Sequence, residues 1–483
     1  MKKIILFLLG TAMLTTQFSC DSTVDPPVDP VSVSAAVNTY NSDVLVQWNE
    51  KFMEVERYAQ FFRPLPAPRA LAYIGIGLYE GCIKGMPDYN SMINQYPGLT
   101  LPAQDLTKEY HYPTVVNNIY GALMYSFFSQ DVQLVSPSGA DITAQELLNI
   151  VTHRANINNQ FQSEISQDVF NRSKAYGEAV ANAVFEYAET DAIGNRGHVD
   201  PFRAYNWQAN PGAGYGYTAV DHGLWQPSSP SGNGLFNYGG DFRTFAIRET
   251  DKISEAPLVY GEAAETSTLY SQALEVYTKT NSANFTSEDE HSAEFWSDDI
   301  VTLTFGPPTR WIAISNQVYT NDNVSLETAI YCNVKVGLAI NDAGVAAWKS
   351  KFHYNIERPF SFIHRLIDPS WTTRLDNPYT PTVESLTPSF PAFPSGHATF
   401  GAAAAEVLTD IFGLGYVITD ACHDNRNEFS GAAATFSSFY KMAEENALSR
   451  IPLGVHFRMD SEAGLHLGQL CGERVNKLNW KKN

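Results

Sequence analysis

Three short segments in the C-terminal half of the chain carry the residue types that hold a tetrahedral oxyanion. Lys351 is followed by Arg358-Pro359, then comes Pro394-Ser395-Gly396-His397, and Ser449-Arg450 precedes Gly454, His456 and Asp460. Together they supply three fixed cations, two histidines, a hydroxyl and a flexible turn. Lysine and arginine neutralise equatorial oxygens, and one guanidinium can bind two of them at once. The Ser395 hydroxyl and the Gly396 N–H add donors if a helix begins there. The inventory suits phosphate or vanadate.

Elements must position these groups, and the pattern around them is helical. One helix is expected from about Ser325 to Lys351, and another opens at Ser395 or Gly396. In the second, Phe400, Ala403, Ala404, Val407, Leu408 and Ile411 form an apolar stripe that Gly413 stops. A last pair falls at about Phe436 to Arg450 and His456 to Lys477. Towards the N-terminus, helical spacing runs from Val44 to about Phe62, through Leu71, Ile74, Leu78 and Cys82, and over about Thr114 to Ser129 and Ala144 to Ala155. A long helix follows from about Gln160 to Glu189. Residues Gly194 to Tyr238 are rich in Gly, Pro, Asn and aromatics and read as a long irregular connection, after which helical patterning resumes near Leu258. Strand-like alternation is scarce and no solenoid period is visible, so the fold class is all-α, built from helical bundles.

With 483 residues, 44% of them hydrophobic and 17% charged, the chain can bury a large core. A formal charge of −20 argues against nucleic acid or an anionic membrane surface as the main partner. Against that background, Lys351, Arg358 and Arg450 are better explained by a bound anion than by solubility.

At the N-terminus, Lys2 and Lys3 precede an apolar run from Ile4 to Leu14, too short to span a membrane but suited to a secretory signal. It ends at Gln17-Phe18-Ser19-Cys20, which resembles a bacterial lipoprotein signal with Cys20 as the lipidated residue; Gln17 departs from the usual aliphatic residue. The chain is therefore expected to be exported and anchored at the cell envelope, with simple secretion as the alternative. Residues 1–20 are the signal, 21–40 a Pro/Ser/Val-rich tether, 41–285 an N-terminal helical region and 286–483 the domain with the oxyanion site. Export makes Cys82, Cys332, Cys422 and Cys471 eligible for disulfides, but free buried thiols are the simpler reading.

The three blocks, in this order and spacing, resemble the signature shared by type 2 phosphatidic acid phosphatases and vanadium-dependent haloperoxidases. Both branches use one pocket, so the blocks alone leave phosphate transfer and halide oxidation open. The surroundings resemble the haloperoxidase branch: Phe295-Trp296-Ser297-Asp298-Asp299, Gly306-Pro307-Pro308, Trp348 paired with Lys351, and Phe390-Pro391-Ala392-Phe393. The resemblance spans about Glu294 to Gly468.

It implies vanadate as cofactor, with phosphate able to occupy the same site, and hydrogen peroxide and a halide ion as substrates. His456 would be the metal ligand, or the nucleophile in a phosphatase, with Asp460 orienting its other ring nitrogen. His397 would be the acid–base residue. Lys351, Arg358, Ser395, Gly396 and Arg450 would hold oxygens, and Asp299, with Asp298 as its competitor, would brace Arg450. Trp348 and Phe390 would flank the halide approach, although an aromatic on an apolar helix face is commonly core. His353, His364, His423 and His466 read as structural or surface residues, with His353 the nearest candidate for the pocket. Three functions stay open: a vanadate-dependent haloperoxidase oxidising iodide, bromide or chloride, a secreted acid phosphatase working through a phosphohistidine, and a non-catalytic envelope lipoprotein.

Overall fold

The structure is a computed structural model and describes residues 32–206, 214–228, 231–263, 266–380 and 386–482. The signal, Cys20 and most of the tether lie outside the described residues. The described residues form thirteen α-helices, short 3-10 turns and one two-stranded hairpin, Ile418–Asp420 against Ala434–Phe436. The architecture is helical-bundle, as the patterning requires.

The organising element is α9, Leu326–Tyr354, whose residues are buried on nearly every face. A helix apolar all round needs partners all round. It receives them from α2 (Pro66–Cys82) on the N-terminal side and from α11 (Gly396–Phe412) and α13 (Arg458–Asn476) on the C-terminal side. Glycines allow the closest approaches: a Cβ on Gly75 would lie 2.8 Å from Val334 Cα. One hydrophobic core therefore runs from Val37 to Trp480 and joins the regions that the sequence divides near residue 285.

Around this core, α1 (Asp43–Glu56), α3 (Tyr112–Phe128), α4 (Thr143–Glu164) and α5 (Gln167–Glu189) build the N-terminal bundle. The expected helix over 160–189 is two helices. Ile165 is extended, and the Ser166 hydroxyl caps α5 by accepting the Val169 N–H, so the break is a local competition for hydrogen bonds that apolar spacing does not report. The first helix ends at Glu56 rather than Phe62. Helical structure after the irregular connection starts at Thr268, with α6 (Thr268–Thr280), and not near Leu258. Phe436, placed in a helix by its pattern, ends a strand, and α12 is Phe439–Leu448 behind a Ser438 cap. The remaining helices are α7 (Ser287–Phe295), α8 (Arg310–Asn321) and α10 (Pro359–Leu366). Cys82, Cys332, Cys422 and Cys471 are free thiols. Among the described residues no helix is long and apolar enough to cross a membrane.

Candidate functional site

Four helix ends meet at the site. Lys351 lies in the last turn of α9, Arg358 caps α10, Ser395 caps α11, and His456 stands just before α13. The α9 helix stops because Asn355 takes a left-handed conformation while its N–H bonds Lys351 O at 2.8 Å. Pro359 then opens α10 at the position where a missing N–H does no harm. Ser395 Oγ accepts from the Ala398 N–H, which leaves its own O–H to donate. Ser395 N donates to Asp460 O at 2.8 Å, tying the second block to the third. Gly454, at φ +88°, makes the turn that returns the chain from Arg450 to His456.

All the sequence-selected residues of the three blocks come together, and nearly all are buried. His456 Nδ1 lies 2.9 Å from Asp460 Oδ2, which also accepts the Phe457 N–H at 2.9 Å. A carboxylate that accepts both bonds fixes Nδ1 as the protonated nitrogen and leaves the lone pair on Nε2. Arg358 Nη1 reaches that Nε2 at 3.2 Å and also donates to Val455 O at 2.8 Å, while its Nε donates to Phe390 O at 2.9 Å. Arg450 Nη2 donates to Asp299 Oδ2 at 2.5 Å. Between the two neighbouring aspartates, Asp299 is therefore the one that braces Arg450. Asp298 faces away from the pocket, where it pairs with Arg310 at 3.2 Å and His423 at 2.8 Å.

On the two arginines of the three blocks, three buried guanidinium nitrogens have no hydrogen-bond partner among the described residues: Arg358 Nη2 and Arg450 Nε and Nη1. Unpaired buried donors cost about 1–3 kcal/mol each, more when charged, so an edge left open in this way fits an anion that completes it. Lys351 is different. Its ammonium donates to the carbonyls of Pro391 at 2.9 Å, Ala392 at 2.8 Å and Pro394 at 2.5 Å. A buried ammonium has three N–H groups to satisfy, and the 391–394 segment wraps it to do so. The expected direct bond from Lys351 to an oxyanion oxygen would have to replace one of these.

The electrostatics follow from burial and crowding. Burial, then Arg358, Lys351 and Arg450, holds the His456 imidazole well below its usual value, so the ring is neutral. His397 is pressed to about 4 by burial and then Arg450, against opposing pulls from Asp299 and the Ser297 carbonyl. Burial and Arg358 likewise hold Lys351 down. Burial raises Asp460, against the pull of Lys351. His397 Nε2 lies 2.8 Å from Ser297 O, so Nε2 carries the proton and Nδ1 the lone pair.

Above these groups is a cavity of about 580 Å³. Trp348 and Phe390 form a tilted pair, 4.8 Å between centroids, and both rings flank the Lys351 ammonium, at 5.8 and 5.1 Å. Sequence reasoning missed the contribution of the N-terminal region, whose Phe61, Arg63 and Phe202 line the same cavity. It also missed Ser297, which acts through a backbone carbonyl and so leaves no side-chain signal. His353 is exposed, and His466 pairs with Glu255 at the surface. His423 is buried on the far side of the Ser297–Asp299 loop.

The chain is similar in sequence and fold to known proteins. Residues 332–481 match the family described as the VCPO second helical-bundle domain. A bacterial vanadium-dependent iodoperoxidase superposes with a TM-score of 0.75 at 25% identity, covering 92% of this chain and 98% of that one. The chain carries a vanadium haloperoxidase domain over residues 332–481 and is similar to vanadium haloperoxidases along most of its length. A vanadium chloroperoxidase from Curvularia inaequalis is 25% identical across 88% of this chain and 80% of its own length. A vanadium-dependent bromoperoxidase from Ascophyllum nodosum is 34% identical over 102 residues, 19% of this chain and 18% of its own. A bacterial vanadium-dependent chloroperoxidase in its holo form shares the haloperoxidase fold at 13% identity, with a TM-score of 0.56 and 93% of each chain covered.

Proposed function

We propose that the protein is a vanadate-dependent haloperoxidase that oxidises a halide with hydrogen peroxide to hypohalous acid. The observation that carries this reading is the set of open guanidinium edges on Arg358 and Arg450 beside the unprotonated His456 Nε2, which accepts from Arg358 Nη1 at 3.2 Å. That donor set fits vanadate: one neutral imidazole nitrogen for the metal and cationic N–H groups for its oxygens. Phosphate would fit the same edges, and the relatives named for vanadium-dependent activity favour vanadate.

Bound there, vanadate would supply a redox-inert Lewis acid that activates peroxide towards a halide. The chain's own residues would do the rest. His456 would ligate through Nε2 while Asp460 holds its Nδ1 proton and ring orientation. Arg358 Nη2 and Arg450 Nε and Nη1 would take equatorial oxygens, with the Ser395 hydroxyl and the Gly396 N–H at the start of α11. His397, fixed by Ser297, would take and return protons at Nδ1. Lys351 would contribute a fixed positive charge beside Trp348 and Phe390, where an anionic halide approaches.

The test is to strip the protein of oxyanions, add vanadate and peroxide, and follow triiodide formation; bromide and chloride follow with a halogenation dye. Iodide comes first because the iodoperoxidase covers nearly the whole chain. Vanadate-dependent turnover is expected, and His456→Ala should abolish vanadate retention. Absence of halide oxidation together with phosphomonoester hydrolysis that vanadate inhibits would refute the proposal in favour of a phosphatase. For location, we propose a lipid-anchored envelope protein processed at Cys20. Mass spectrometry of the mature N-terminus should find a diacylglyceryl-modified Cys20, and an unmodified residue elsewhere would exclude the anchor.

A further inference from the structure

We infer that His423, on the far side of the Ser297–Asp299 loop from the oxyanion pocket, is a positioning residue. Through Asp298 it fixes the turn that gives the Ser297 carbonyl to His397 and the Asp299 carboxylate to Arg450. The inference rests on the haloperoxidase reading above and adds a residue to that site.

The turn needs holding. Asp298 has φ +44° and Thr302 φ +77°, left-handed conformations that cost any residue with a Cβ and a β-branched one most. Such backbone persists only where its surroundings over-determine it. Within the turn, Ser297 O lies 2.8 Å from His397 Nε2 and Asp299 pairs with Arg450, while the Asp298 side chain between them faces the other way. Relaxation at Asp298 would therefore move both pocket contacts together. The Thr302 end is tied to Arg57, just past α1: Thr302 N donates to Arg57 O, and Arg57 Nε donates to Thr302 O, each at 2.8 Å.

The Asp298 carboxylate holds the other end. Its Oδ1 is 2.8 Å from His423 Nε2 and its Oδ2 is 3.2 Å from Arg310 Nη1. A carboxylate only accepts, so His423 Nε2 carries the proton. Arg310 is shared: it also donates to Asp420 at 2.8 and 3.1 Å and to Phe295 O at 3.0 Å, so its bond to Asp298 is its longest. His423 makes the shorter bond, and its ring is itself locked. Phe305 stacks on it with centroids 5.1 Å apart, and Phe429 meets it edge to face at the same separation. Gly431 comes so close that a Cβ there would stand 2.6 Å from His423 O. A phenylalanine would fill this aromatic niche as well as a histidine does. The N–H aimed at Asp298 is what distinguishes them.

The experiment compares the full chain with His423→Phe, which keeps the ring and removes the donor, and His423→Gln, which returns an N–H near Nε2. His466→Phe, at the surface, is the control. In oxyanion-free wild-type protein labelled with 15N-histidine, His397, assigned with His397→Gln, should show one tautomer, protonated at Nε2. In His423→Phe it should become a mixture, the Kd for vanadate should rise about 10-fold, and kcat for triiodide formation should fall roughly 10- to 100-fold. KM for iodide should not change, because the turn carries neither Trp348 nor Phe390. His423→Gln should return each quantity towards wild type. A folded His423→Phe with the wild-type tautomer, vanadate Kd and kcat would overturn the inference, whatever its Tm. Should His423→Phe not fold, Phe305→Leu takes its place: it removes the ring against the imidazole, so partial loss of the single tautomer is expected and an unchanged spectrum overturns the inference. Absence of triiodide from the wild type would refute the peroxidase reading alone, since the His397 tautomer and the Kd for vanadate or inorganic phosphate still decide the role of His423.

Discussion

Replacing Gly468 with alanine should separate the two helices that carry the candidate histidines. Gly464, Gly468 and Gly472 lie at four-residue intervals along α13 and face the backbone of α11. A Cβ at 468 would stand 2.2 Å from Thr399 O, 2.9 Å from Ala402 Cβ and 3.0 Å from Ala403 N. The nearest obstacle is a backbone carbonyl, so no side chain can rotate to relieve it. Reaching ordinary contact needs about 1 Å of helix separation, in a core packed too densely to absorb it elsewhere.

Two effects compete in stability. Alanine gains about 1 kcal/mol of helix propensity over glycine, while overpacking costs about 1–3 kcal/mol. The net loss is about 0–2 kcal/mol, which should lower Tm by no more than a few degrees. Activity should respond far more. His397 is in the first turn of α11 and His456 immediately precedes α13, so the displacement falls between the proton-transfer residue and the proposed ligand. A misplacement of about 1 Å costs on the order of 100-fold in rate. The assay is vanadate-dependent triiodide formation beside a thermal melt, with Gly415→Ala as control, since a Cβ there meets nothing within 4 Å. Full turnover and wild-type vanadate affinity in Gly468→Ala would refute the reasoning and show that this helix contact does not set the site geometry.

The remaining predictions concern the charges. Burial and Arg450 hold His397 near 4 in the folded protein, against about 6.5 when unfolded, and His456 is lowered in the same direction. The unfolded chain therefore binds more protons between those values, so stability is present above about pH 6.5 and is lost as pH falls towards 4. Urea midpoints measured from pH 7.5 to 4.5 should show this loss. Added phosphate should reduce it, because an anion favours the imidazolium, and an unchanged profile would place no anion beside His397. Asp298→Asn should destabilise by about 3–5 kcal/mol, by leaving the buried Arg310 underpaired. It should also shift the pH–rate profile, because the same loop presents Ser297 O to His397 and Asp299 to Arg450; denaturant melts and pH–rate curves of the variant check both effects.

What the sequence made legible was local. Asp460 follows His456 by four residues, and one helical turn brings the carboxylate to Nδ1. The α11 helix announced itself through Ser395 at one end and Gly413 at the other, and both caps are where the pattern puts them. Groups that act through backbone atoms or across long separations were hidden. Ser297 presents a carbonyl, and the acceptors of Lys351 are carbonyls too. Phe61 and Phe202 line the cavity although they lie far from the three blocks in sequence, and no spacing within a segment encodes that approach. The break at Ile165–Ser166 was missed because apolar periodicity continues across it while the Ser166 hydroxyl redirects one backbone N–H.

The same geometry divides the work among three cations that look alike in sequence. Arg358 and Arg450 keep unpaired N–H edges, so under the proposed function the arginines would supply most of the oxyanion affinity through bonds formed only when it arrives. The donors of Lys351 are already taken by Pro391, Ala392 and Pro394, so binding there would exchange one good hydrogen bond for another and gain little. Its position, in contrast, is fixed before any ligand enters. A charge held in place by three carbonyls, buried between Trp348 and Phe390, needs no reorganisation when negative charge develops beside it, and its effect is strengthened by the low-dielectric surroundings. Removing an arginine should therefore weaken oxyanion binding first, whereas removing Lys351 should fall mainly on turnover.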